Sequence, residues 1–154
     1  MSVRGDTICA VSTPAGIAGI AIIRLSGPDT PRIVSEIFRP ARQTGRPHRS
    51  HTVRYGHIVD DGRILDEVLV TRMAAPRSYT REEMAEIGCH GGAVATRQVL
   101  DACLRHGARL ALPGEFTRRA FLNGRIDLAQ AESVLQVVSS QTGEALAASM
   151  RALT

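Results

Sequence analysis

The side chains able to do chemistry in this chain are few in kind. All 19 basic residues are arginine and none is lysine. That excludes a phosphate-loop lysine, a Schiff base and a lysine general base. Chemistry must therefore come from Arg, His, Asp, Glu or Cys. The cysteines, Cys9, Cys89 and Cys103, are odd in number and widely spaced. They give neither a disulfide framework nor a zinc pattern and read as reduced thiols. The histidines at 48, 51, 57, 90 and 106 show no metal-ligand spacing.

Cys89-His90-Gly91-Gly92 stands at an expected strand-to-helix turn. A Cys–His dyad is the sharp reading. Neighbours on a strand point to opposite faces, however, so His90 is expected to serve as a structural hydrogen-bonding residue. The glycine pair would let backbone approach a ligand, and the helix start could hold an anion. Arg24 lies near the end of an apolar run, and Glu86 sits between Ala85 and Ile87. A charge there either faces a partner or lies on the solvent side of its strand. The stretch 113–125, PGEFTRRAFLNGR, carries two aromatics and four charges. It reads as a docking helix, an anion site near Arg118, Arg119 and Arg125, or a solvated face. Pro14-Ala-Gly16-Ile-Ala-Gly19 is glycine-rich, but a dinucleotide loop needs a helix after it and a strand follows here, which makes it a hairpin loop.

The elements that must position these residues follow from pattern. Short β-branched runs at 6–12 and 19–25 read as strands, and 31–38 has helical spacing. The segment 39–49 reads as an exposed loop. Strands at 51–59 and 64–73 flank Asp60-Asp61-Gly62, a hairpin signal. Thr80-Arg-Glu-Glu83 has capping-box spacing for a short helical turn. Residues 84–89 are read as a strand, 93–105 as a helix stopped by Gly107, and 109–112 as a last strand. Helix 115–122 is followed by Asp127 as N-cap of one long final helix. Its apolar stripe of Leu128, Ala131, Val134, Leu135 and Val138 has nothing downstream to bury it. The order predicts an α+β fold with antiparallel hairpins and a trailing helix.

The 154 residues are 44% hydrophobic and 22% charged, enough for one ordinary core. The net charge of +4 permits contact with an anion. Aromatics at 3% argue against nucleic-acid stacking. The start, MSVRGDTICAVS, lacks a signal-peptide core, and no run reaches membrane-spanning length, so a cytoplasmic protein is expected.

Asp6-Thr-Ile, the Thr13-Pro loop, Arg24-Leu-Ser-Gly27, Tyr55-Gly-His-Ile58, Pro76-Arg-Ser-Tyr-Thr80, Glu86 with Cys89-His-Gly-Gly92, and PGEFTRRAFLNGRIDLAQAE from 113 to 132 occur in this order. Together they resemble the opening of the MnmE/TrmE family of tRNA-modification GTPases over nearly the whole chain. The resemblance implies a tetrahydrofolate-binding-type α+β domain, with a mixed or antiparallel sheet and flanking helices, over 1–122. Residues 123–154 would begin a helical domain, ahead of a GTPase domain. It further implies a homodimer that binds 5-formyltetrahydrofolate through Arg24, Glu86 and Arg125, with no catalytic or metal residue assigned. GTP, Mg and K would belong to the full-length protein only. There the partners would be MnmG/GidA and a tRNA whose wobble uridine is modified at carbon 5. The family often has lysine where Arg125 stands, and a richer glycine loop where Ala15, Ile17 and Ala18 stand. Two other readings stay open: a dimerising scaffold with a decayed folate site, and a stand-alone folate-dependent one-carbon transferase using His57, His90 or a carboxylate.

Overall fold

Two apolar runs joined by a glycine-rich loop form the first hairpin. The computed structural model describes residues 5–42, 45 and 47–153. In it β1 (Ile8–Val11) pairs antiparallel with β2 (Ile20–Ser26), setting Cys9 opposite Leu25 and Ala10 opposite Arg24. The glycine-rich stretch is thus the link of a hairpin, and a strand follows it, as expected. Helix α1 (Thr30–Ile37) follows, with Pro31 in its first turn, where a missing N–H costs nothing.

The long hairpin of β4 (Thr52–Asp60) and β5 (Arg63–Met73) turns at Asp61 and Gly62. Both adopt positive φ, at 47° and 74°, which is the requirement of a type I′ turn and the reason for the Asp-Gly pair. β6 (Met84–His90) returns between β5 and β2, confirming the strand reading of that segment. Helix α2 (Ala93–Arg105) leads past Gly107, at φ 105°, into β7 (Arg109–Leu110). β7 runs parallel to β1, so the seven-stranded sheet is mixed. With the three-residue β3 (Phe38–Pro40) at its edge, the order is β3-β4-β5-β6-β2-β1-β7.

The side chains of Ile23, Leu25, Val68, Val70, Ala85 and Ile87 point to one face. They bury against Ile33 and Ile37 of α1 and Val99 and Cys103 of α2. Each large aliphatic side chain so buried stabilises by about 1.5–3 kcal/mol. Strand alternation then sends Ile22, Arg24, Glu86 and Gly88 to the opposite face.

The chain forms two compact units, Met1–Ser78 with Glu82–Ala111, and Tyr79–Arg81 with Leu112–Thr154. This division is one of packing; the boundary at 122/123 came from the family resemblance. The second unit holds α3 (Glu115–Leu122), α4 (Leu128–Ser139) and α5 (Gly143–Leu153). Within it Glu115 and Arg119 form a buried ion pair at 3.2 Å, one turn apart on α3. Among the described residues no helix is long and apolar enough to cross a membrane.

Three local expectations need correction. Residues 38–40 pair with β4 as a strand, where the 39–49 composition had suggested only loop; positions 43, 44 and 46 of that stretch lie outside the described residues. Thr80–Glu83 forms no helical turn: Arg81 sits at φ 59°. The acidic side chains bond elsewhere, Glu82 accepting from Ser26 Oγ at 2.7 Å and Glu83 from Arg72 at 3.2 Å. The single final helix is broken. Asp127 does cap α4 through a full capping box with Gln130, but Ser140 is extended and Gly143 starts α5. Ser140 Oγ donates to the Gln136 carbonyl at 2.6 Å, and Thr142 Oγ1 accepts from the Ala145 N–H, so both sides of the break are satisfied locally. α5 folds back on the small-residue face of α4, where Ser133 and Ser149 are buried, leaving Leu128, Leu135 and Val138 exposed.

Candidate functional site

Arg24 on β2 and Glu86 on β6 are direct cross-strand partners, a register that puts both side chains on the sheet face away from α1 and α2. Arg24 donates from Nε at 2.9 Å and approaches from Nη2 at 2.8 Å, both to Oε1 of Glu86. The side chains are 29% and 30% exposed, so the pair is neither a solvated surface bridge nor a sealed one. Both contacts end on one oxygen of a carboxylate that offers about four acceptor positions. Beside the pair, Gly88 and Leu69 face each other across β6 and β5. With Ile20, Tyr55, Glu67 and His90 they line a shallow depression of about 340 Å³. The absence of a side chain at Gly88 opens the floor of that depression.

Arg125 belongs to the second unit. It follows the Asn123-Gly124 turn, and its guanidinium lies 5.1 Å from the centroid of the Tyr79 ring, a cation–π distance. Tyr79 is held in turn by a hydroxyl contact to Thr117 at 2.9 Å. Asn123 Nδ2 donates to the Thr80 carbonyl at 2.7 Å, which ties the 79–81 segment to the end of α3. Tyr79 was not singled out from the sequence, although the PRSYT motif contains it.

Cys89 and His90 part as strand alternation requires. Cys89 is buried, and its thiol donates to the Ala21 carbonyl at 3.5 Å. Burial is the largest influence on that thiol and pushes its pKa up, the opposite of an activated nucleophile. His90 is exposed, with Nδ1 2.6 Å from Asp66 Oδ1, and its backbone N–H donates to the other oxygen of Asp66 at 2.8 Å. The Asp66 hydrogen bond raises the pKa of His90. Asp66 was not legible as a partner, because it comes from β5, 24 residues away in sequence. His90 lies four residues along β6 from Glu86, roughly 13 Å at the strand rise.

Gly91 meets the hairpin loop so closely that a Cβ there would come within 2.4 Å of the Ala18 carbonyl oxygen. This close approach explains the first glycine of the pair, and Gly92 caps α2 in an extended conformation. A groove of about 410 Å³ lies between residues 13–18 and the first turns of α2. Its lining, like that of the depression at Gly88, includes neither Arg24 nor Glu86. Among the described residues no group of three His, Cys, Asp or Glu side chains is placed to hold a metal ion.

Residues 7–125 match the family model described as GTP-binding protein TrmE N-terminus. Curated relatives named tRNA modification GTPase MnmE are similar over almost the whole chain. The protein of Chloroflexus aurantiacus is 60% identical over 143 residues, covering 92% of this chain and 31% of the relative. Those of Moorella thermoacetica and Bacillus subtilis are 55% and 53% identical over 148 residues, each covering 94% of this chain and 32% of the relative. The chain thus spans about a third of the length of the relatives it matches.

Proposed function

The chain belongs to the TrmE N-terminal family, and from that premise we propose that it is the module by which a tRNA-modifying GTPase binds 5-formyltetrahydrofolate and dimerises. The observation that carries the proposal is the partly buried Arg24–Glu86 pair near an apolar depression on the face of the first unit's sheet away from α1 and α2. A pterin offers an amino-pyrimidine edge of adjacent N–H donors and a flat ring. Arg24 fixes the direction of the Glu86 carboxylate through Oε1, and Oε2 of Glu86 is the atom we assign to the ligand's donors. The depression floored by Gly88 would receive the ring. The role of Arg125 toward polar or anionic ligand groups rests on the family resemblance alone, and it carries its own variant in the test.

In the longer protein, GTP hydrolysis aided by Mg and K, the partner MnmG/GidA and a wobble-uridine tRNA belong to the same proposal, as does a cytoplasmic setting.

Calorimetric titration of the chain with 5-formyltetrahydrofolate tests the reading. Wild type should bind saturably, and Glu86→Ala should lose about 2–5 kcal/mol, the cost of stranding a charge partner. Arg24→Ala and Arg125→Ala are measured alongside. Glu86→Gln binding as tightly as wild type would refute the carboxylate's role. A second reading, a scaffold with a decayed folate site, is favoured by Ile17, which is fully exposed at the tip of the altered loop, beside exposed Ile20. Its signature would be a dimer in sedimentation that Ile17→Asp dissociates, with no folate heat in either protein.

A further inference from the structure

The positive charge of the chain is unevenly spread. Between Ile37 and Val59 stand five of the 19 arginines, Arg39, Arg42, Arg46, Arg49 and Arg54, with three histidines and no acidic residue. In the rest of the chain 14 arginines meet all 15 carboxylates, so this one stretch carries the whole excess of +4. It belongs to one side of the first unit, because β3 is the edge strand of the sheet and β4 is its neighbour.

The described arginines of this edge stand on backbone that hydrogen bonds hold. Arg39 lies opposite His57, and the Ala41 N–H donates to the Tyr55 carbonyl at 3.1 Å, which leads the chain along β4 to Arg42. Residues 47–52 then join the start of β4. Arg54 donates to the Pro47 carbonyl at 2.9 Å, His48 Nε2 to the Thr52 carbonyl at 2.9 Å, and Thr52 Oγ1 to the Arg49 carbonyl at 2.7 Å. From His57 back to Thr52 is roughly 17 Å at the strand rise. Arg39, Arg42 and Arg49 are exposed, and among the described residues none of them pairs with a carboxylate. Arg39 Nη1 donates only to the Ser35 and Phe38 carbonyls, each at 3.2 Å. Arg32, Arg97 and Arg105, by contrast, each pair with a nearby acid. The edge is bounded by Glu67, opposite His57 on β5, whose carboxylate accepts from the Tyr55 hydroxyl.

We propose that this edge binds the phosphate backbone of RNA, with Arg39, Arg42 and Arg49 as its phosphate contacts. Charges strung along an edge, rather than converging on a pocket, suit a ligand whose anions repeat along a line. A guanidinium fork matches two phosphate oxygens, and no carboxylate already neutralises these three. An anionic membrane fits less well, because residues 39–52 contain no large apolar or aromatic side chain to enter a bilayer. With aromatics at 3% of the chain, the contact reads backbone and not bases, and carries little sequence preference. Charges on an edge strand also discourage strand addition, and that role alone would leave RNA unbound. The choice of RNA rests on the tRNA reading proposed above and is separate from the folate reading.

The test is fluorescence anisotropy of a labelled tRNA transcript titrated with the chain at several salt concentrations. Binding should be saturable and should weaken steeply with salt. Arg42→Ala combined with Arg49→Ala should weaken it about tenfold at low salt. The slope of log affinity against log salt should fall by about 1.5, as the loss of two phosphate contacts requires. Arg63→Ala combined with Arg97→Ala removes the same charge elsewhere on the first unit and should change neither quantity; circular dichroism checks that both variants fold. Glu86→Ala should bind RNA as wild type does while losing folate, which keeps failure of the two readings apart. The inference fails if wild type does not bind the transcript, as an edge that only discourages strand addition would not. It fails if the two double variants weaken binding alike, an outcome that removes the edge but leaves the tRNA reading standing. It fails also if phosphatidylglycerol vesicles bind the chain more tightly than the transcript at equal phosphate concentration.

Discussion

At the scale of single residues, Gly91 is fixed by a contact with no room for one more carbon. Its neighbour Gly92 has nothing within 4 Å of a built Cβ and ordinary extended dihedrals. Gly91→Ala should therefore cost about 1–3 kcal/mol in urea unfolding, as the loop at Ala18 is pushed away, whereas Gly92→Ala stays near neutral. Equal values for the two would remove the close-approach argument. The thiols give a second prediction. Burial lifts the pKa of Cys9 to about 11 and raises those of Cys89 and Cys103. An aromatic disulfide reagent should label none of the three in the native chain and all three in denaturant; fast labelling of any one would contradict its placement.

At the scale of elements, local signals and packing divide the work. The Asp61-Gly62 turn and the Asp127 cap are written in adjacent residues and appear as expected. In the capping box, Asp127 Oδ1 accepts from the Gln130 N–H at 2.8 Å, and Gln130 Oε1 accepts from the Asp127 N–H at 3.0 Å. Asp127→Ala should cost about 1 kcal/mol and reduce far-ultraviolet helical signal as the first turn of α4 frays. No change in either would mean that packing alone holds the start of α4. Thr80–Glu83 shows the converse. The same spacing was present, but Ser26 and Arg72 took the carboxylates and the turn did not form.

At the scale of the whole molecule, the first unit carries a tie joining three elements. His106, after α2, places Nδ1 2.9 Å from Glu36 on α1 and Nε2 2.8 Å from Asp60 on β4; Arg105 also pairs with Asp60 and Arg32 with Glu36. Two carboxylate acceptors need both ring nitrogens protonated. The bonds to Asp60 and then Glu36 accordingly raise the pKa of His106, and the His106 bond is the largest cause lowering both carboxylates. The stabilisation from His106 is thus full below the ordinary histidine value near 6.5 and lost as pH rises through its raised value. The carboxylates contribute oppositely: their part is present above their ordinary values and lost as pH falls through the lowered ones. His90 shares the sign of His106, while burial lowers the pKa of His48 and gives it the reverse sign. Stability measured against pH should decline above neutrality, and His106→Gln should flatten that decline; an unchanged slope would assign it elsewhere.

What the sequence by itself determined was whatever a few neighbouring residues decide. Helices 93–105 and 115–122, the β4–β5 turn, the Asp127 cap and the opposite facing of Cys89 and His90 all follow from periodicity and local hydrogen bonding. Arg24 and Glu86 were legible as charges in apolar strands but not as a pair. Their meeting depends on β6 inserting between β5 and β2, a register set by residues 62 positions apart. Only the tertiary structure decided that Tyr79 stacks under Arg125, that Asp66 holds His90, and that α5 turns back on α4. Each depends on which distant groups compete for the same donor, acceptor or apolar face, and that competition is settled only when the chain packs.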